Sequence, residues 1–384
     1  MPTPRLSPDK RRKVVELKAK GLSNEETAKL AGVATGTVSN VVNQTTPEDA
    51  MPDSDQVYHL RARILEQSQF ITSLRKSLGE QREIADQIGS AVAAFEPYKR
   101  VPYKVPAKSD STIIPVLKLS DWHIGEIINP AETEGFGYYD WEVAQRRALY
   151  VADKFIEWVN VMRHAYRIDE VRVFREGDFV SGDIHSELTI TNEFPAPVAA
   201  VKAGFLLAEV VSRISAHFST VICEGVEADN HGRMNPKPQA KQKSQNNWCY
   251  VTAALAEEVL KKHGNVEFRR TEGMKHLANV VGKKFLVMHG DGIKSSLGIP
   301  YYGLERDRAR EATRRMNTDK GFDYVSHGHY HCFAVVSGNI IGNGSLSGTT
   351  EFDHSCGRHA MPTQVAFLVH PKHGVFNLVP FTVM

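Results

Sequence analysis

Asp121-Trp122-His123, Gly177-Asp178, Asn230-His231, His289 and Gly328-His329-Tyr330-His331 are short polar patches spread over more than half of a 384-residue chain. Carboxylates, imidazoles and a carboxamide are ligands for divalent cations. Two such ions, roughly 3.5–4 Å apart, neutralise a phosphoester and lower the pKa of a water between them. The bridge needs a carboxylate that both ions share, and Asp178 is the candidate. Mixed oxygen and imidazole donors suit manganese first, with zinc, iron or nickel as alternatives, and argue against an all-oxygen magnesium cage.

Each patch follows a β-branched or apolar run, such as Thr112-Ile113-Ile114-Pro115-Val116-Leu117 before the first and Phe285-Leu286-Val287-Met288 before His289. That grammar puts the polar residues at the C-terminal ends of buried strands, where open α/β sheets hold their sites. A lone histidine is more often a satisfied polar residue than a ligand, and Asp178 alone could cap a helix. The joint arrangement is what points to a metal centre.

In order and spacing, the patches resemble the calcineurin-like metallophosphoesterase superfamily over residues 112–384, and Leu119-Ser120-Asp121-Trp122-His123-Ile124-Gly125 is most similar to its recombination-repair nucleases. Asn343-Gly344-Ser345 resembles the small-residue turn that follows the family's last ligands. The resemblance implies a two-sheet α/β/β/α sandwich. It implies one ion held by Asp121, His123 and His331, and another held by Asn230, His289 and His329. His231 resembles the family histidine that stabilises or protonates the leaving oxygen, and attack by the bridging hydroxide would be direct and in line. Two departures stand out. Asp229 occupies the place of a usual glycine, and Gly232 that of a carboxylate orienting the histidine, a role for which Asp229 or Glu227 are the substitutes at hand. His185, Glu187 and Asp291 lie close in sequence to the ligands without a defined role.

The elements before residue 109 are of a different kind. Residues 1–46 read as a small helical unit. Gly21 stops its first helix, and Ser23 with Glu26 forms a capping box for the second. From Asn24 the pattern resembles the helix-turn-helix of DNA-binding proteins, with Ala28 at the helix crossing, Gly32 at the turn, and Val38 and Val41 facing inward. Thr35, Thr37, Ser39, Asn40 and Asn43 would then face a major groove. A protein-binding or capping three-helix module is the alternative. Residues 47–108 comprise a long helix and a linker bearing Pro97, Pro102 and Pro106. From Val57 to Phe95 apolar residues alternate steps of three and four, with Gln67 and Gln81 at two seam positions. The pattern fits a coiled-coil homodimer through residues 53–96, or a single amphipathic helix lying on the catalytic domain. Residues 109–384 alternate strand-like runs with amphipathic helices, as in a layered α/β domain.

A formal charge of +2 places any nucleic-acid affinity in local patches. Arg233, Lys237, Lys241 and Lys243 form one, with no acidic residue before Trp248, suited to phosphate contact or to solvent. The stretch Arg306–Arg315 carries Asp307 and Glu311 among its arginines and reads as a salt-bridged helix surface. Four scattered cysteines and the lack of an apolar run of about 18 residues predict a cytoplasmic protein with reduced thiols and no membrane span. The expectation is a two-metal DNA nuclease, more naturally an endonuclease. The alternatives are a small-molecule phosphatase or cyclic-nucleotide phosphodiesterase, and a non-catalytic DNA-binding regulator.

Overall fold

A computed structural model describes residues 6–44, 54–99, 112–294 and 300–383. The chain divides into two units, Met1–Asp86 and Gln87–Met384.

The first unit opens with helices α1 (Pro8–Ala19), α2 (Asn24–Ala31) and α3 (Thr35–Gln44). Proline at the first turn of α1 costs no hydrogen bond, because that amide would have no intrahelical partner. The Ser23–Glu26 capping box forms in both directions, and Gly32 ends α2 at φ 67°. Val14, Ala28, Ala31, Val38 and Val41 are buried together, so the three helices share one small core. On α3, Thr35, Asn40 and Asn43 are exposed, Thr37 and Ser39 half-buried. Helix α4 (Ser54–Ala94) follows. Its seam residues Ile64, Ile71, Leu74 and Leu78 are 48–65% exposed. Its last turns belong to the second unit, where Ile88, Val92 and Phe95 pack against the main core. There Lys262 donates to the Val92 carbonyl at 2.7 Å, satisfying one of the helix's terminal acceptors. The proposed linker is docked at its start, Tyr98 contacting Glu209 and Arg213; from residue 100 to 111 it lies outside the described residues.

The second unit then runs β1 (Ile114–Leu119), α5 (Trp141–Met162), β2 (Glu170–Arg175), α6 (Leu188–Thr191), α7 (Ala196–Ser215), β3 (Thr220–Gly225), α8 (Trp248–Leu260) and β4 (Val266–Arg269). It continues through β5 (Lys275–Val280), β6 (Lys283–Met288), α9 (Tyr301–Arg315), β7 (Tyr324–His327), β8 (Ala334–Val336), β9 (Ile340–Gly342), α10 (Glu351–Ser355), β10 (Thr363–His370) and β11 (Gly374–Thr382). One sheet has the order β11-β10-β1-β2-β3-β4, the other β5-β6-β7-β9-β8. Strands β1 to β4 are mutually parallel, as crossover helices α5, α7 and α8 require. In the second sheet β6, β7 and β9 are parallel.

The sheets meet through Ile114, Val116, Phe174, Phe367 and Val369 of one and Ala278, Phe285, Val287 and Ile341 of the other. The crossover helices bury their apolar faces on the first sheet. On the second, α9 contributes Leu304 to a cluster with Met288, Val325 and Ile340. The polar face of α9 carries the expected salt bridges, Arg315 and Lys275 converging on Glu311. Among the described residues, no helix is long and apolar enough to cross a membrane. Cys223 and Cys249 are buried and free, and Cys332 and Cys356 are exposed and free.

Candidate metal centre

The polar patches sit where β1, β2, β3, β6 and β7 end, so both sheets deliver ligands to one place. Asp121 and His123 follow β1, Asp178 follows β2, Asn230 and His231 follow β3, His289 follows β6, and His329 and His331 follow β7. Three overlapping groups have ligand atoms within 4.8 Å of one another: Asp121, His123 and His331; His123, Asp178 and His231; and Asp178, His289 and His329. Asn230 joins the third, its Oδ1 lying 2.9 Å from His289 Nε2.

The backbone is bent to achieve this. Asp121, His123, Asp178, His329 and His331 all have positive φ, between 49° and 74°. Side chains other than glycine rarely adopt that conformation, at a cost of about 1–3 kcal/mol each, and such strain persists only where surroundings enforce it. Here the enforcement is visible. The His329 amide donates to Asp121 Oδ1 at 3.0 Å, and the His231 amide to Asp178 Oδ1 at 3.0 Å. Gly328 is required because a Cβ there would lie 2.5 Å from Asp121 Oδ2. Asn343, in the small-residue turn, donates to Ser120 at 2.9 Å and steadies the start of the Asp121 loop.

The donor set fits divalent cations. His123 Nε2 and His331 Nε2 lie 3.1 Å apart, and two imidazole nitrogens that close need a shared proton or cation between them. Asp178 Oδ2 lies 2.9 Å from His289 Nε2. Burial alone would raise the Asp178 carboxyl, but the neighbouring His289 and His231 outweigh it and hold it well below the usual carboxylate range. Burial and nearby histidines push His123 and His329 well below the ordinary imidazole value, leaving them neutral and fit to ligate. Burial would also lower His331, but the Asp353 hydrogen bond and Asp121 raise it to about 9.

Asp229 and Gly232 form one structure. The Asp229 carboxylate is buried and accepts from the amides of Asp178 (2.9 Å) and Gly232 (2.8 Å) and from Asn247 Nδ2 (2.9 Å). A Cβ at Gly232 would lie 2.1 Å from Asn247 Oδ1, so no side chain fits at that position. Asp229 thus ties the Asp178 loop to the Asn230-His231 loop instead of orienting the histidine, and Glu227 is taken up by Arg175. His231 is oriented by a main-chain group: its Nδ1 lies 2.8 Å from the Ser181 carbonyl. This corrects the expectation of a substitute carboxylate, because Asp229 is taken up by amide donors and Glu227 by Arg175.

The remaining residues are placed as follows. His185 and Glu187 are exposed, and His185 stands 6.3 Å from the His231 ring. Asp291 pairs with Lys243 at 2.5 Å, linking the basic loop to the strand end that carries His289. Asn230, Arg233, Lys237, Lys241, Lys243 and Asn246 are among the residues lining a pocket on that side of the centre. Arg233 donates to the carbonyls of Asn235 and Pro236 and so shapes its own loop. Sequence reasoning missed Ser181, Asn247, Glu126 and Asp353. Asp353 left a local signal as the fourth residue of a Thr350-Glu351-Phe352-Asp353 capping box, and Asn247 as the N-cap of α8.

No protein-family model matches the chain, and no curated protein matches it. Among solved structures, vacuolar protein sorting 29 from Cryptosporidium parvum is similar over 71% of this chain and 100% of its own, at 13% identity and a TM-score of 0.28. Vps29 from Chaetomium thermophilum is similar over 70% of this chain and 98% of its own, at 9% identity and the same TM-score. At these values the function must be read from the site itself.

Proposed function

We propose that this chain is a two-metal phosphodiesterase of the calcineurin-like type that hydrolyses DNA, most naturally as an endonuclease of the recombination-repair kind. The observation that carries the metal chemistry is the sharing of Asp178 between a group with His123 and a group with His289 and His329. Asp121, His123 and His331 would hold one ion, and Asn230, His289 and His329 the other, with Asp178 common to both. When bound, the ions supply charge neutralisation of the phosphate and an acidified water; manganese is the candidate, with zinc, iron or nickel as alternatives.

The chain's own residues supply the rest. The Ser181 carbonyl can only accept, so His231 Nδ1 keeps its proton and Nε2 faces the cluster. A protonated Nε2 could donate to a leaving oxygen. Lys237 and Lys241 are exposed beside the centre and suit a polyanionic backbone. The exposed Thr35, Asn40 and Asn43 of α3, together with Thr37 and Ser39, favour a duplex-reading role for the first unit. The exposed seam of α4 favours pairing with a second copy, which would set two such readers in symmetric register. Free cysteines, two of them buried, suit a reducing cytoplasm.

The test is incubation of supercoiled plasmid with purified protein and Mn2+, beside Asp178→Asn. Nicked or linear DNA from the wild type alone supports a metal-dependent endonuclease. Intact plasmid with hydrolysis of linear DNA ends, or of cyclic nucleotides, would replace that reading.

A further inference from the structure

The two metal-ligand clusters differ in what stands behind them. In the cluster of Asp121, His123 and His331, both imidazoles turn Nδ1 toward a carboxylate. His331 Nδ1 lies 3.4 Å from Asp353 Oδ2, and His123 Nδ1 lies 3.7 Å from Glu126 Oε2. Among the described residues, His123 Nδ1 is fully buried and makes no hydrogen bond; Glu126, 3.7 Å away, is the acid it faces. In the other cluster, His289 turns Nδ1 to the neutral carbonyl of Glu176 at 2.7 Å.

Both acids are held in place, and burial favours the neutral form of Glu126, raising it to about 8. Asp353 is 6% exposed and anchored by the Thr350 hydroxyl at 3.0 Å within the α10 capping box. The Glu126 amide donates to the His123 carbonyl at 3.0 Å, which closes the turn that brings its side chain back to the ring. A carboxylate behind a ligating imidazole fixes the ring's tautomer and raises its basicity, whereas a carbonyl fixes the tautomer with less charge.

Resting on the two-metal reading, we infer that Asp353 and Glu126 are positioning residues for the ion held by Asp121, His123 and His331, and that they make it the more tightly bound of the two. The asymmetry comes from α10 and from the turn after His123, and unequal affinity makes loading of the two positions stepwise.

The experiment is calorimetric titration of Mn2+ into chelator-treated full-length protein, for the wild type, Asp353→Asn, Glu126→Gln and His329→Ala. The wild type should take up two classes of ion, and His329→Ala should keep the tighter one. Asp353→Asn preserves an oxygen acceptor for the α10 cap but removes the charge. It should weaken the tighter class by roughly 10–100-fold and leave the other within about twofold. Glu126→Gln should act on the same class. Equal weakening of both classes, or no change in either, would overturn the inference while leaving the metal centre standing. A wild type that binds no Mn2+ would sink the metal centre and this inference with it.

Discussion

Lys118 and Glu176 form an ion pair sealed from water beneath the candidate metal centre. Lys118 Nζ lies 3.4 Å from Glu176 Oε2, and both side chains have no solvent exposure. The ammonium also donates to the carbonyls of His327 (3.2 Å) and Ile341 (2.5 Å), so a residue of the first sheet clamps β7 and β9 of the second. Glu176 accepts from Ser326 on β7 as well. Burial lowers the lysine and raises the glutamate to about 7, and their mutual attraction opposes both shifts. Removing one partner strands a buried charge. Lys118→Met should therefore cost about 3–5 kcal/mol in urea unfolding, and combining it with Glu176→Gln should cost less than the sum. Additive losses would show that the two residues do not act as a pair.

Glu224 makes a second link between the sheets, and it gives the fold an acid limit. It is reached by Arg172 at 2.7 Å, His276 at 2.9 Å and Arg269 at 3.5 Å. Burial favours the neutral acid, but the hydrogen bond from His276 and the charge of Arg172 hold the carboxyl below its ordinary value of 4.5. A depressed carboxylate stabilises the fold fully above the unfolded-state value and loses that contribution as pH falls through the folded value. Stability should thus drop below about pH 4.5. Glu224→Gln should cost about 2–3 kcal/mol at pH 7 and flatten that drop. Thermal unfolding between pH 3 and 7 measures both effects.

His231→Ala should lower turnover on a DNA substrate by roughly 10²–10⁴-fold, with the metal content per chain unchanged. Metal analysis decides the point. His231 shares a potential ligand group with His123 and Asp178, so loss of an ion in the variant would make His231 a ligand.

Asp178→Asn should abolish hydrolysis and reduce binding of both ions, because the shared group loses its charge. The fold should survive, since an amide oxygen can still accept from the His231 amide. Near-normal turnover would remove Asp178 as the bridge.

Within the basic loop, the lysines should not be equivalent. Lys243 is neutralised by Asp291, whereas Lys237 and Lys241 are exposed. Replacing Lys237 and Lys241 with alanine should weaken DNA binding and shallow its logarithmic salt dependence by about 2, close to 0.9 per phosphate contact. Lys243→Ala should do much less. Equal effects from all three in a salt titration would refute the distinction.

Much of the site was legible in the sequence because its chemistry dictates residue type, and its strands announce where those residues stand. Apolar runs ending in Asp121, Asp178 and His289 mark strand ends, and the Ser23–Glu26 box marks a helix start, because both are local patterns. The deep lysine was not legible: Lys118 lies in an otherwise apolar strand, and its acceptors are 209 and 223 residues away. The orientation of His231 was not legible either, since a backbone carbonyl 50 residues upstream carries no sequence signature. The sequence by itself determined the types of the candidate ligands, their strand-end positions and the helical character of the opening segment. Only the tertiary structure decided that Asp229 braces the loops, that Ser181 holds His231, and that Asp353 stands behind His331. Those contacts depend on which strand ends the two sheets bring together, and that follows from long-range strand order and packing.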